Sequence, residues 1–347
     1  MKKLKIMINK KKIKEIIKNY FKDPLFLRRW EYPYYTRQDD NQISVRITGC
    51  GRGWKYSYRG DSHMFIEDMY VGIMPFMIYK GESEKYPIYI EPKDTTKERI
   101  IARGISGNRG FLGDALCDFV RSTTQTLFQK GEILYELIYK KNEQGEIEEF
   151  GLRYLSSCCL FKIFGNYYQI VPWWIASKSN VKVGIYKIPC SKVLKIDFPK
   201  ELGGKRKIKK IIKRLWYLGK NIFPEFYMES MKNNENTSFN LNDYTNSKYI
   251  EIARLTKKFG WNQRKLSDGY ITEYYSMVRQ LRNKKAEIII RDKIINDLNK
   301  YLNGEILNFN IKIIYENFHT IQNIKEQEER LKKGNVEFMD IFNKTKL

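Results

Sequence analysis

The chain has 347 residues, and its 64 Lys and Arg residues outnumber its 40 Asp and Glu residues, giving a net charge of +24. Hydrophobic residues make up 42% of the sequence, which is enough to build a buried core and excludes wholesale disorder. No segment approaches 18 consecutive apolar residues, so we predict no membrane-spanning helix. The charge predicts a polyanionic partner, either nucleic acid or an acidic protein surface.

Five cysteines are scattered along the chain without a CxxC pair: Cys50, Cys117, Cys158, Cys159 and Cys190. Their odd number and irregular spacing are not those of a secreted disulfide framework. The lysine-rich N-terminus lacks the uninterrupted apolar stretch of a signal peptide. We therefore expect reduced thiols in a cytoplasmic protein.

The first third of the chain is predicted to hold one helix followed by short strands. Apolar residues within 13–21 recur at helical spacing with lysines opposite, which fits either a solvated surface helix or an arm that touches a partner or DNA. The runs at 70–81 and 86–92 resemble strands between turns. The glycine-rich segment 103–114 is predicted to be a connector, with a phosphate-binding loop as the weaker alternative.

A helix followed by a series of short strands is predicted next. Asp114 is the expected N-cap of the helix and Gly131 its C-terminal cap. The sequence "EILYELIYKKNEQGEIEEF" then predicts a strand, a turn at "NEQG" and a second strand. More strands are predicted in "LFKIFGNYYQIVPWW", "VGIYKIP" and "KVLKIDFP".

The stretch after Gly203-Gly204 predicts a strongly amphipathic helix at 205–222. Its apolar residues recur at i, i+3, i+4 and i+7, and they are Ile208, Ile211, Ile212, Leu215, Leu218 and Ile222. Its opposite, basic face is a candidate interaction surface, formed by Arg206, Lys209, Lys210 and Lys213. The pattern alone leaves open whether this face binds a partner or is only hydrated.

The last third of the chain is predicted to be mainly helical. The asparagine-rich segment 232–248 is predicted to be a loop. A long helix is predicted at about 267–302 and a strand in "FNIKIIYENF". A further helix capped by Gly334 and a short final helix complete the prediction.

The sequence predicts neither an active site nor a metal site. The histidines are His63 and His319, far apart and without ligands at metal-site spacing, and no HExxH, GxSxG or Walker sequence is present. Adjacent acids at Asp39-Asp40 and Glu67-Asp68 allow a weaker alternative, an Mg²⁺-dependent nuclease. We expect no enzymatic activity, no cofactor and no bound metal.

The order of these elements resembles the portal proteins of tailed bacteriophages. The resemblance runs from residue 105 to 345 and is carried by "LFQKGEILYELIY", "NEQGE", "LRYLSSCCLFK", "NYYQIVP", "YKIPCSKVLKIDFP" and "LGGK". Near the C-terminus, "FNIKIIYENFHTIQNIKEQEERLKKGNVEFMDIF" resembles the strand, helix and short helix of the same family. The implied fold is an α+β portal-like subunit with long stem and wing helices and a small β-rich clip.

The resemblance implies six segments along the chain. They are an N-terminal wing region (1–112), a first stem helix (113–131), a β-rich clip (132–204), a second stem helix (205–231), a tunnel-loop region (232–262), and wing or crown helices with a C-terminal strand and helix (263–347). The implied tunnel loop would face DNA through Lys232, Asn233, Asn234, Asn236 and Lys248.

The implied function is a homo-oligomeric ring, a dodecamer, at one vertex of the capsid. Double-stranded DNA would be packaged and ejected through this ring, which would contact the major capsid protein, the terminase and the head–tail connector. The protein would then lie in the virion, and in the host cytoplasm during assembly, without contact to a membrane. A basic nucleic-acid-binding or replication protein is the alternative that the charge and the aromatic content favour.

Overall fold

The computed structural model of the chain describes residues 34–39, 42–47, 56–57, 60–74, 86–107, 110–156, 160–171, 185–220, 241–261, 263 and 272–334. These residues form both helices and strands, largely in separate runs, so the fold is of the mixed α+β class that the sequence predicts.

The described helices are α1 (Gly60–Val71), α2 (Thr95–Ser106), α3 (Leu112–Lys130), α4 (Gly204–Lys220), α5 (Leu241–Leu255), α6 (Glu273–Leu302) and α7 (Ile321–Lys332). The described strands are β1 (Tyr34–Asp39), β2 (Gln42–Ile47), β3 (Ile88–Glu91), β4 (Glu132–Lys141), β5 (Ile147–Tyr154), β6 (Leu160–Ile163), β7 (Asn166–Ile170), β8 (Ile185–Pro189), β9 (Val193–Asp197) and β10 (Lys312–Tyr315).

The chain divides into two compact units. The strand unit comprises residues 1–53, 133–195 and 303–308, and the helical unit comprises residues 54–132, 196–302 and 309–347. Both units are therefore assembled from segments that lie far apart in the sequence.

The strand unit contains an antiparallel β1–β2 pair and two three-stranded sheets, ordered β5-β4-β9 and β6-β7-β8. Its strands β4 and β5 pair in antiparallel register from Tyr135 opposite Tyr154 onward. A small apolar cluster fills it, composed of Leu134, Leu155, Leu160, Tyr167, Ile188 and Val193. The predicted strands of this part of the chain are confirmed, as is the turn at residues 142–145.

The helical unit has a larger core in which aromatic rings meet edge to face. The Phe65 ring lies 5.5 Å from that of Phe128, 5.3 Å from Phe259 and 5.3 Å from Trp261, measured between centroids. Edge-to-face pairs of this kind are favourable beyond the area they bury. Helices α1 and α3 are thus joined to the turn that follows α5.

The predicted helix before the strand series β4 to β9 is α3, and its apolar face is buried as expected. Gly131 caps its C-terminus in the left-handed conformation, and its N–H donates to the Leu127 carbonyl at 2.7 Å. The prediction of Asp114 as N-cap is wrong, because the helix begins at Leu112 after Phe111 and Asp114 lies within its first turn. An acid in the first turn still interacts favourably with the helix dipole.

Two helices of the first third were missed. The sequence predicts a strand at 70–81, but its first two residues belong to α1. It predicts a connector at 103–114, but α2 continues into this segment as far as Ser106. Helix α1 carries little amphipathic pattern, since the polar residues Asp61 and Ser62 lie on its buried face together with Phe65, Ile66 and Met69. Glycine weakens helices, which favoured the connector prediction, but Gly104 is a buried residue inside α2.

In the last third, the predicted loop 232–248 is wrong from residue 241 onward, where α5 begins. The predicted long helix is confirmed as α6, and β10 and α7 confirm the strand and the helix that follow. Helix α7 begins with a capping box between Thr320 and Asn323. The predicted helix at 13–21, Ile222 and the final short helix lie outside the described residues.

Among the described residues, no helix is both long enough and apolar enough to cross a membrane.

Candidate functional site

Helix α4 carries the strongest charge pattern in the described structure. Its apolar stripe is buried as predicted, with Ile208, Ile212 and Leu215 fully inaccessible to solvent. Near its end, Gly219 lies close to Gly60 of α1, because a Cβ atom at Gly60 would stand 3.4 Å from the Gly219 Cα. The stripe and this close approach fix the helix in the core, so its basic side chains can only point outward.

The basic side chains of α4 divide into two rows. Lys207, Lys210 and Arg214, at i, i+3 and i+7 spacing, line a groove with residues of other helices. Lys213 lies on the other row, where its Nζ is 5.9 Å from the Tyr56 ring centroid and 5.8 Å from that of Tyr217. The two rows therefore have different neighbours, although the sequence pattern presents them as one face.

We refer to the first surface as the basic groove. It has a volume of about 940 Å³, and its lining comes from α4, α5, the turn after α5, α6 and α7. Among the described residues it gathers eight basic side chains and two carboxylates around an apolar floor. The lining residues are Lys207, Lys210, Ile211, Arg214, Glu251, Arg254, Leu255, Lys257, Lys258, Arg282, Lys285 and Glu328.

The two carboxylates hold part of the basic lining in place. Glu251 lies between two arginines, 3.5 Å from Arg214 Nε and 3.7 Å from Arg254 Nη1. Glu328 on α7 accepts from Lys285 Nζ of α6 at 3.3 Å. These partly exposed pairs contribute little to stability, but they set the directions of the side chains around the groove.

The turn at residues 256–260 brings Lys257 and Lys258 to the groove. The Thr256 hydroxyl donates to the Ile252 carbonyl at 2.8 Å, and Lys258 Nζ donates to the Glu201 carbonyl at 3.1 Å. Gly260 has a φ of +61°, and a Cβ atom there would lie 1.9 Å from the Arg279 carbonyl oxygen. Only glycine allows the turn to pack this closely against α6.

Helix α6 holds the same turn through its polar side chains. Asn283 Nδ2 donates to the Phe259 carbonyl at 3.1 Å, and Arg279 Nε donates to the Gly260 carbonyl at 3.4 Å. The groove is consequently attached to the core through backbone contacts on its inner side. This arrangement makes it a preorganised surface, able to bind an acidic partner without large rearrangement.

Only one residue of the predicted basic face lines the groove. Lys210 belongs to it, whereas Arg206, Lys209 and Lys213 are exposed on α4 outside its lining. The rest of the lining was missed by sequence reasoning. Adjacent lysines at 257–258 and 284–285 were the available signal, but the sequence does not show that α5 and α6 bring them beside α4.

Lys248 is a predicted tunnel-loop residue, and the prediction that it lies in a loop is wrong, because it lies on α5. Its Nζ is 3.0 Å from Asp61 Oδ2 at the start of α1, and Gln263 Nε2 donates to the other oxygen of that carboxylate at 3.0 Å. Lys248 therefore joins two helices of the helical unit. The other four predicted tunnel residues, Lys232, Asn233, Asn234 and Asn236, lie outside the described residues.

The acidic residues that the sequence offers as metal ligands do not form a metal site among the described residues. Asp68 Oδ2 accepts from Trp261 Nε1 at 2.7 Å, and no group of three or more possible ligands is found among the described residues. His63 is exposed on α1, and the His319 carbonyl accepts from Arg291 Nη2 at 2.8 Å. Asp40 lies outside the described residues.

Comparison with protein-family models and with curated proteins found no match to this chain.

Proposed function

We propose that the chain is the subunit of a portal ring of a tailed phage, a structural protein without enzymatic activity through which DNA enters and leaves the capsid. In this proposal the ring contacts the major capsid protein, the terminase and the head–tail connector. It would be part of the virion and would assemble in the host cytoplasm.

The observation that carries the proposal is the way the chain leaves and re-enters the helical unit. Helix α3 ends at Gly131, the strands β4 to β9 follow, and the chain returns at Phe198 before α4. The two ends meet, because the Phe198 N–H donates to the Gly131 carbonyl at 3.1 Å and the Lys205 ammonium pairs with Glu132. A series of strands from β4 to β9 between two packed helices is the arrangement expected of a clip between two stem helices.

Two further features support the proposal. Helices α3 and α4 pack against each other and against α1, as a stem anchored in a wing would require. Strand β10 and helix α7 follow the long α6 in the order that the C-terminal resemblance implies.

Electron microscopy of negatively stained, purified chain tests the proposal directly. The expected result is closed rings with a central hole, formed by head-to-tail contacts between identical subunits. Light scattering gives the matching measurement in solution. A strictly monomeric mass at micromolar concentration in moderate salt would contradict the proposed function.

A basic nucleic-acid-binding protein is the second candidate, and the basic groove is the observation that favours it. Such a protein would form monomers or dimers, and its affinity for DNA would fall steeply as salt rises, because bound counterions are released from the phosphates. Fluorescence anisotropy of a labelled DNA duplex over a salt series separates this candidate from a ring that lets DNA slide.

A further inference from the structure

We propose that the basic groove of one copy binds the acidic β4–β5 turn of a neighbouring copy, an inference that rests on the proposed ring. We define the acidic turn as residues 142–149. It contains four glutamates and no basic residue, and Glu143, Glu146, Glu148 and Glu149 are all exposed.

The net charge of the chain creates a need for such a contact. Copies that each carry +24 repel one another, and this repulsion opposes any close assembly. Assembly becomes favourable where a basic surface of one copy meets an acidic surface of the next. The basic groove and the acidic turn provide these opposite charges once in every copy.

The acidic turn is ordered by its own hydrogen bonds. The Asn142 N–H donates to the Glu146 carbonyl at 2.9 Å, and the Glu146 N–H donates back to Asn142 Oδ1 at 2.8 Å. Gly145 has a φ of +82°, and its N–H donates to the Asn142 carbonyl at 3.0 Å. A turn that is ordered before binding loses little conformational entropy when it binds.

The floor of the groove favours a peptide over a phosphate backbone. Ile211 is buried and Leu255 is half-buried at the bottom of the groove, and both offer apolar surface. The acidic turn carries the half-buried Ile147 beside Glu146 and Glu148. A phosphodiester backbone has no apolar group for this floor. The volume of about 940 Å³ is at the upper end of the roughly 300–1,000 Å³ of ligand pockets, so it admits a turn of several residues.

The contact also has the symmetry that a ring needs. The groove and the acidic turn are different surfaces, so a copy that uses its turn on one neighbour keeps its groove for another. Contacts of this heterologous kind generate closed rings or open filaments, whereas a self-complementary patch would stop at a dimer.

Charge reversal on α4 provides the test. The variant Lys207→Glu/Lys210→Glu places two acids in the groove, and Arg206→Glu/Lys209→Glu is its control, with the same charge change at the same spacing on the same helix. Successive helical residues point about 100° apart, so the control residues lie outside the groove lining. Sedimentation velocity of the full chain should show assemblies lost in the first variant and kept in the second.

A compensating change sharpens the test. Adding Glu146→Lys/Glu149→Lys to the Lys207→Glu/Lys210→Glu chain should restore part of the assembly, because the two new acids in the groove can then pair with two new lysines on the turn. The wild-type assemblies should also dissociate between about 0.1 M and about 1 M salt, as the screening length shortens from about 10 Å to about 3 Å.

The possible results of these experiments distinguish the proposed contact from the proposed ring. Intact rings in the Lys207→Glu/Lys210→Glu variant would overturn the contact and leave the proposed function standing. Open oligomers that shrink in this variant, without closed rings in the wild type, would support the contact and overturn the ring. A chain that is only monomeric would overturn both. If the variant lost binding to a labelled DNA duplex while its assembly was unchanged, the groove would be a nucleic-acid site and the contact would be wrong.

Discussion

The helical unit and the strand unit use different means to hold their chains in place. In the helical unit, rings such as Phe65 and Phe128 pack edge to face, and side chains of α6 bind the backbone of the turn at 256–260. The strand unit has a small apolar cluster and depends on strand pairing, and it exposes Phe164 and Ile185. From this comparison we expect the helical unit to be the more tightly held part of the chain, and five predictions test that expectation.

The largest effect is expected at Gly260, where the helical unit packs most tightly. Gly260→Ala should lower the free energy of unfolding by about 3–5 kcal/mol, since it adds a left-handed penalty to a steric overlap with the Arg279 carbonyl. Gly334→Ala is the control, because Gly334 has a φ of +71° but no atom within 4 Å of the added Cβ. This change should cost only about 1–2 kcal/mol. Equal losses in urea unfolding of the two variants would show that the close packing is unimportant.

Truncation of a buried aliphatic side chain in each unit tests whether the two units open separately. Ile212→Ala in α4 and Leu160→Ala in β6 should each cost about 2–5 kcal/mol, since both residues are buried. Hydrogen exchange should show faster exchange in the helical unit for the first variant and in the strand unit for the second. Uniform acceleration across both units in either variant would mean that the chain unfolds as one cooperative body.

The cysteines of the two units should differ in reactivity. Burial raises the pKa of the Cys117 thiol in α3 to about 12, whereas Cys190 in the strand unit is only partly buried. Mass spectrometry after iodoacetamide treatment at pH 8 should find Cys190 modified and Cys117 intact, and both modified in urea. Rapid modification of Cys117 in the native chain would contradict its burial.

The same pKa shift sets the direction of a pH effect on stability. An unfolded thiol ionises near pH 8.5, so the stability that the neutral buried thiol contributes is complete below that pH. Above pH 8.5 this contribution to stability should fall by up to about 1.4 kcal/mol for each pH unit, until the folded thiol ionises near 12. Cys117→Ala should remove this part of the pH dependence, which urea unfolding at pH 8 and pH 10 can measure.

The smallest effect is a gain in stability at the tip of the β6–β7 hairpin. Phe164 is 82% exposed and has a φ of +45°, a conformation that costs a bulky side chain about 1–2 kcal/mol. Phe164→Asn would place Asn before Gly165, the preferred pair for a two-residue hairpin turn, and should stabilise the strand unit by about 1 kcal/mol. Phe164→Leu, the control, should give no gain. A loss of stability in the Asn variant would show that the phenyl ring packs usefully in the folded chain.

Sequence reasoning succeeded where the pattern along the chain is local. The buried stripe of α4, the glycine cap at Gly131 and the strand series from β4 to β9 follow from periodicity and turn residues, and all are confirmed. It failed for α1, because a helix whose buried face includes polar residues such as Asp61 and Ser62 shows little amphipathic pattern. It failed at the start of α5 as well, where asparagines that favour turns lie in a helix that Lys248 joins to Asp61 of α1.

The sequence by itself determined that α4 is an amphipathic helix with a basic outer side, because helix formation and the burial of its apolar stripe depend on residues three and four positions apart. Only the tertiary structure decided which of its basic residues line the groove. Lys207 and Lys210 belong to the groove with Lys257 and Lys285 because the turn at Gly260 packs directly on α6. Charges that lie dozens of residues apart become neighbours through packing, and packing between distant helices leaves no period in the sequence.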